Sequence, residues 1–235
     1  MDEDDPRSHI AFALDVPDLD SARALIEQTR EHVGAFKVGL ELYTAVGPAA
    51  VDLVHDAGAS CFLDLKLHDI PATMGRTVAR AASMGVTYLT VHGAAGHDSL
   101  HQACVHAGGT RLLAVTVLTS LDAPALRAIG LDGGPREAAD RLARLAWHAG
   151  LRGFVTSAHE CAGLRTSLGK EAFLVTPGIR PAGADLGDQK RVRTPADAIA
   201  AGADLLVVGR PIRDAEEPGR AAAEIERQVR LALSQ

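Results

Sequence analysis

Short apolar runs alternate with longer amphipathic segments along nearly the whole chain. The runs at residues 10–14, 35–38, 61–65, 88–91, 112–117, 153–156, 173–175 and 205–208 are nearly continuous in aliphatic and aromatic residues. They lack the polar alternation of a half-exposed strand, as expected of parallel strands covered on both faces. Between them, Ala- and Leu-rich stretches at 19–29, 48–56, 72–83, 99–107, 135–148, 159–166 and 196–200, and a last one at 220–233, predict helices. Eight strand–helix alternations in 235 residues predict an α/β protein with the (β/α)8 TIM-barrel architecture. A doubly wound open sheet is the alternative. Against it, the first strand runs into Leu14-Asp15-Val16-Pro17 rather than a GxGxxG turn. No linker or break in composition interrupts the pattern. Residues 9–235 are therefore expected to form one barrel domain, behind a loose tail over residues 1–8.

Composition narrows the function classes. A hydrophobic share of 47% is enough for one large core. The net charge of -6 argues against nucleic-acid binding through overall charge, while local basic residues could still hold a phosphorylated small molecule. The three cysteines, Cys61, Cys104 and Cys161, are far apart and read as reduced core residues. The acidic start, Met1-Asp2-Glu3-Asp4-Asp5-Pro6, has no signal-peptide pattern, and no apolar run nears the roughly 18 residues of a membrane span. A cytoplasmic protein without a membrane partner is expected. No metal site is expected from the histidines.

The densest chemistry lies in Asp64-Leu65-Lys66-Leu67-His68-Asp69, which follows Cys61-Phe62-Leu63 and runs into Ile70-Pro71-Ala72-Thr73. At the end of a strand, Asp64 and Lys66 would share a face about 7 Å apart, and Asp69 would fall where the next helix begins. Charges of alternating sign are costly to bury unless they pair, so their placement at a strand mouth points to chemistry. A barrel places function at the C-terminal ends of its strands. Polar residues gather there: Asp15 after the first strand, Lys37 in the second, His92 after the fourth, and Thr119 and Ser120 after the fifth. Pro177-Gly178-Ile179-Arg180 follows the seventh strand and Gly209-Arg210 the eighth. Plain structural readings stand beside these. Asp15 could cap a turn before Pro17, Asp69 could be a helix N-cap before Pro71, and His68 reads as structural. The role of His92 is left open. Lys37, inside Phe36-Lys37-Val38-Gly39, needs an acidic partner. The rim after strands seven and eight suits a phosphate, with Gly209 admitting an anion to the backbone and Arg210 offering a forked cation. The polar stretch 180–191 reads as a lid with Gln189 able to reach that phosphate, or as an ordinary exposed loop.

Together, Ala13-Leu14-Asp15, Phe36-Lys37-Val38-Gly39, the segment from Asp64 to Pro71, Leu118-Thr119-Ser120, Thr176-Pro177-Gly178-Ile179-Arg180, Gly187-Asp188-Gln189-Lys190-Arg191 and Val208-Gly209-Arg210-Pro211 resemble the orotidine 5′-phosphate decarboxylase family, in its order and over nearly the whole chain. The DxKxxD element is shared with sugar-phosphate decarboxylases and aldolases of the same superfamily. The Thr-Pro-Gly-Ile-Arg and Gly-Asp-Gln-Lys-Arg pieces are more specific. The resemblance implies cofactor-free, metal-free decarboxylation of orotidine 5′-monophosphate to UMP. It implies that Lys66 stabilises and protonates the C6 carbanion, that Asp64 and Asp69 keep Lys66 charged, and that Lys37 pairs with Asp64 and touches the ribose. Asp15 would bind a ribose hydroxyl. Thr119 and Ser120 would meet the pyrimidine amide edge. Ile70 and Pro177 would line an apolar pocket for CO2. Arg180, Gln189, Gly209 and Arg210 would grip the phosphate. It further implies a homodimer in which Asp69 and Thr73 reach the neighbouring active site. Two rival readings remain. One is a 3-keto-gulonate-phosphate decarboxylase or hexulose-phosphate synthase type of barrel, with Glu41 beside a magnesium ion. The other is a non-catalytic nucleotide-binding barrel.

Overall fold

A computed structural model of the protein describes residues 5–181 and 193–234. Eight strands form a closed parallel barrel in chain order: β1 (Ile10–Ala13), β2 (Ala35–Val38), β3 (Ser60–Leu67), β4 (Tyr88–His92), β5 (Arg111–Val115), β6 (Gly153–Val155), β7 (Phe173–Thr176) and β8 (Leu205–Val208). β8 closes the ring by pairing with β1, Ile10 opposite Leu206. The helices around it are α1 (Leu19–Thr29), α2 (Leu40–Val46), α3 (Ala49–Asp56), α4 (Pro71–Ser83), α5 (His97–His106), α6 (Ala123–Ala128), α7 (Pro135–His148), α8 (Ala158–Leu168), α9 (Pro195–Ala200), α10 (Arg210–Arg213) and α11 (Pro218–Leu233). The barrel expected from the apolar runs is therefore the observed architecture. The short helices α2, α6 and α10 were not foreseen. Residues 5–8, half of the expected tail, belong to an ordered start: the Asp5 side chain accepts from the Arg7 amide and caps a 3-10 turn over Pro6–His9. Residues 1–4 lie outside the described range.

Strand parity divides the core in two. Ala11, Ala13, Ala35, Phe62, Leu113, Val175, Leu205 and Val207 pack inside the barrel. Ile10, Phe12, Phe36, Val38, Cys61, Leu63, Leu89, Val91, Phe154 and Leu206 pack outward with the helices. The N-terminal end of the barrel is filled by aromatic rings. Tyr88 lies edge-on to Phe62 at 5.8 Å between ring centres and stacks on Phe173 at 5.7 Å, and the Arg111 guanidinium covers Phe173 at 4.3 Å. Going up the same inward parity, the chain meets Asp15, Lys37, Asp64 and Thr90 at the opposite end. The apolar floor thus leaves the polar residues a single mouth, the C-terminal one.

All three cysteines are free. Cys61 and Cys161 are core residues, and burial pushes the Cys61 thiol up to about 12 and the Cys161 thiol up to about 11, whereas Cys104 is only half-buried. Among the described residues, no helix is long and apolar enough to cross a membrane.

Candidate active site

Four charged side chains of alternating sign run across the mouth. Lys37 Nζ lies 3.1 Å from Asp15 Oδ1 and 3.5 Å from Asp64 Oδ2, and Lys66 Nζ lies 2.8 Å from Asp64 Oδ1. Lys37 is the deepest, with its side chain 10% exposed, and Asp64 follows at 14%. The acidic partner demanded by a lysine in an apolar strand is thus a pair of partners. Asp15 spends its carboxylate on Lys37 rather than on a turn. Burial opposes the charge on Asp64, but Lys37, Lys66 and the bonds from Lys66 and Thr90 outweigh it and hold the carboxyl below its ordinary value of 3.8.

β3 does not end before the charged segment but carries it. Its pairing to β4 slips between Leu63 (opposite Leu89) and Leu67 (opposite Val91). In that bulge Lys66 adopts φ 49°, the only positive φ of a non-glycine among the described residues. The irregularity brings the Lys66 ammonium into contact with Asp64, where a regular strand would hold the two side chains about 7 Å apart at their Cα atoms.

Two cavities open beside this array and share Lys37, Pro177 and Val207. One is walled by Phe62, Val115, Val117, Leu118, Val155 and Thr156, with Asp64, Lys66 and Thr119 at its polar edge. The other is cationic, lined by Arg180, Arg210 and Arg213 with Gly178, Gly209 and Asp15. A flat, largely apolar ring suits the first and an anion the second, with the shared residues between them. Gly209 has room for a methyl group against the protein itself, 3.6 Å from Ala13 Cβ and 3.8 Å from Asp15 Oδ2, so a side chain there would take space from whatever occupies the cavity. Arg180 is buried and donates to the Ile179 carbonyl at 3.0 Å.

The expected site residues divide into those brought together and those left apart. Asp15, Lys37, Asp64, Lys66, Thr119, Pro177, Arg180, Gly209 and Arg210 line the two cavities. Ser120 is exposed and lines neither. Gln189, and the rest of the stretch read as a lid beyond Pro181, lie outside the described residues. Asp69, Ile70 and Thr73 also line neither cavity of their own chain. Asp69 does not cap α4: the N-cap is Ile70, and Asp69 Oδ1 accepts from the Ile70 amide at 2.6 Å. Among the described residues Asp69 joins no ion pair, and Ile70 is 67% exposed. Thr73 Oγ1 accepts from Arg76 at 3.4 Å. His68 and His92 stack at 5.3 Å, and His92 is held below its ordinary value of 6.5 by burial and by the charges of His68 and Lys66.

Arg213, which lines the cationic cavity, and Thr90, which is buried behind the charge array, were not among the residues read from the sequence. Arg213 belongs to the same short helical turn as Arg210, donates to the Asp15 carbonyl at 3.1 Å and pairs with Asp214. Its three-residue spacing from Arg210 was the available signal. Thr90 bonds to both Asp64 and Lys66, and the residue type alone gave no signal of it. One histidine pair, His97 and His101, does have the i, i+4 spacing of a metal-ligand pair, which the expectation of no metal site passed over. Their rings stack 6.2 Å apart on α5. Among the described residues no group of three or more His, Cys, Asp or Glu is placed to hold a metal ion. Glu41, which a sugar-phosphate reading would use, is exposed in the first turn of α2.

The sequence model of a family described as "Orotidine 5'-phosphate decarboxylase / HUMPS family" matches residues 8–225. A protein of Anaeromyxobacter sp. (strain K) named orotidine 5'-phosphate decarboxylase is 52% identical over 221 residues, covering 94% of this chain and 97% of that one. One of the same name from Thermobifida fusca (strain YX) is 51% identical over 221 residues, covering 94% of this chain and 95% of its own. A crystal structure of orotidine 5'-phosphate decarboxylase from Lactobacillus acidophilus superposes with a TM-score of 0.83 at 32% identity, covering 94% of this chain and 98% of that one.

Proposed function

The chain belongs to the orotidine 5′-phosphate decarboxylase / HUMPS family and decarboxylates orotidine 5′-monophosphate, a step of pyrimidine biosynthesis; from that premise we propose which residues carry the reaction. The observation that supports the assignment is the alternation Asp15–Lys37–Asp64–Lys66 at the edge of an apolar cavity. Loss of CO2 breaks the bond from C6 to the carboxyl carbon and leaves the electron pair on C6. The Lys66 ammonium stabilises that pair and then donates a proton to it, giving the C6–H bond of UMP. An ammonium already in place needs no reorganisation as charge develops, which is the most effective form of electrostatic catalysis. Asp64 pairs with Lys66 and Lys37 and orients them, and Asp15 and Lys37 meet the ribose hydroxyls between the two cavities. Thr119 and Ser120 face the amide edge of the base. Pro177 borders the space for CO2 from its own chain, and Ile70 from the β3–α4 connection of the neighbouring subunit. Arg180, Arg210, the Gly209 amide and Gln189 hold the phosphate, whose remote binding energy is spent on ordering the reacting end. The reaction runs without a metal or an organic cofactor.

Residues 9–235 act, on this reading, as one catalytic domain of a cytoplasmic homodimer with a small-molecule substrate and no nucleic-acid partner. Asp69 and Thr73 enter the neighbouring subunit's site, which agrees with the exposure of the β3–α4 connection and with the lack of an ion pair for Asp69 within its own chain among the described residues. The test follows the loss of ultraviolet absorbance of orotidine 5′-monophosphate in the presence of EDTA. Wild type is expected to turn over, and Lys66→Ala to lose about 1000-fold or more in kcat. A Lys66→Ala rate within tenfold of wild type would remove the lysine from the mechanism.

A further inference from the structure

Thr90 occupies the middle of β4 and is fully buried. Its hydroxyl makes two bonds, both into the charge array. It donates to Asp64 Oδ1 at 2.9 Å, and it accepts from the Lys66 backbone N–H at 2.8 Å. The oxygen it supports on Asp64 is the one that also takes the Lys66 ammonium, at 2.8 Å. Between these two contacts lies the bulge. A four-residue step along β3, from Leu63 to Leu67, faces a two-residue step along β4, from Leu89 to Val91. Lys66 sits within it at φ 49°. A side-chain-bearing residue holds a left-handed backbone only when its surroundings enforce it. Here the amide of that residue is held by a side-chain hydroxyl of the neighbouring strand.

We propose that Thr90 is a positioning residue for the decarboxylation: its one hydroxyl fixes both the backbone that aims Lys66 and the carboxylate that Lys66 leans on. The inference rests on the role given above to Lys66. The hydroxyl is used in both senses, as donor and as acceptor, so neither an aliphatic isostere nor a pure acceptor can replace it. Valine keeps the shape of threonine and loses both bonds. Without them Asp64 can turn about its terminal torsion, and the ammonium that shares its oxygen turns with it. The charged groups that face Asp64 are Lys37 from β2 and Lys66 from its own strand, with Asp15 behind Lys37. From β4, the neutral Thr90 faces Asp64 directly, and His92, one turn of the pleat further, faces Lys66.

The experiment compares wild type, Thr90→Val, Thr90→Ser and Lys66→Ala, each checked for folding by circular dichroism, with kcat and KM for orotidine 5′-monophosphate measured across pH. Thr90→Val is expected to lose about 10- to 100-fold in kcat, the effect of removing a hydrogen bond to a charged group, with KM changed by less than about threefold. Its acid limb should move to higher pH, because Asp64 has lost a donor that favours the carboxylate. Thr90→Ser should restore the rate to within about fivefold of wild type and return the limb. Wild-type kcat and an unmoved limb in Thr90→Val overturn the proposal. So does a Thr90→Ser variant as impaired as Thr90→Val, since that outcome assigns the effect to the methyl group. If Thr90→Val does not fold, Thr90→Cys, with a thiol that bonds weakly, is read by the same criteria. Lys66→Ala separates the two levels: if it stays active, the reading of Lys66 fails, and if it is inactive while Thr90→Val is unimpaired, only the role of Thr90 fails.

Discussion

Asp64 shows how little of a buried carboxylate's behaviour follows from its own identity. It faces an apolar wall that opposes its charge, yet two ammonium groups and a hydroxyl keep it ionised. That balance depends on close contacts between the charged side chains and the backbone around them, and Gly39 marks one of them. A methyl group at Gly39 would stand 2.9 Å from Lys37 Nζ and 3.0 Å from Asp15 Oδ1. Both are far ends of side chains, so the fold can yield, but what yields is the site. Gly39→Ala is expected to melt within a few degrees of wild type and to lose about tenfold or more in kcat/KM, the scale of one misplaced charged contact. Melting curves beside steady-state kinetics check it, and an unimpaired Gly39→Ala would show that Lys37 tolerates displacement. The charges themselves were legible in the sequence, because lysine and aspartate inside apolar runs require each other. Thr90 was not, since a threonine in a strand is ordinary and gains meaning only from its partner across the ladder.

At the scale of elements, the strands were readable because each is covered on both faces and so appears as an unbroken apolar run. The observed β2 and β8 coincide with the runs at 35–38 and 205–208. The short helices were not readable. α10 spans only Arg210–Arg213, too short to display a helical period. β3 is the instructive miss. It runs over Ser60–Leu67 where 61–65 was expected, and the bulge inside it rests on a left-handed lysine that nothing in the residue type announces. β6 is tight for the opposite reason. A methyl group at Gly153 would meet the Leu112 carbonyl oxygen at 2.5 Å and Leu113 Cδ2 at 2.6 Å. Here backbone would have to move, so Gly153→Ala is expected to cost about 1–3 kcal/mol. That corresponds to a melting midpoint lower by about 2–12 °C for a chain of this size. An unchanged midpoint in a thermal melt would mean that β5 and β6 can separate freely.

For the whole molecule, the barrel is sealed at one end by Phe62, Tyr88 and Phe173 and polar at the other, so its chemistry has one face. The cationic cavity at the rim, to which we assign the phosphate, was readable from Arg180 and Arg210 placed just after strands. The proposed trans arrangement was not readable from composition or periodicity, and came only with the family resemblance. It has a quantitative consequence. Lys66→Ala and Asp69→Ala homodimers are each expected to be inactive. After mixing and subunit exchange, half of the dimers are mixed, and each mixed dimer rebuilds one site with a wild-type Lys66 and a wild-type Asp69. Activity should return to about one quarter of wild type per subunit. A mixture that stays inactive under conditions where exchange is demonstrated places Asp69 in its own subunit's site.

The bulge in β3 also separates two problems that a new sequence must solve. The ladder is back in step at Leu67, opposite Val91, so the two surplus residues are absorbed before the strand ends. Whatever happens downstream starts from a reset register. The β3–α4 connection can therefore lengthen, shorten or turn without moving Lys66. Anyone transplanting the Lys66 backbone into another barrel would carry over a matched pair of strands, the bulged β3 together with a β4 that offers a hydroxyl.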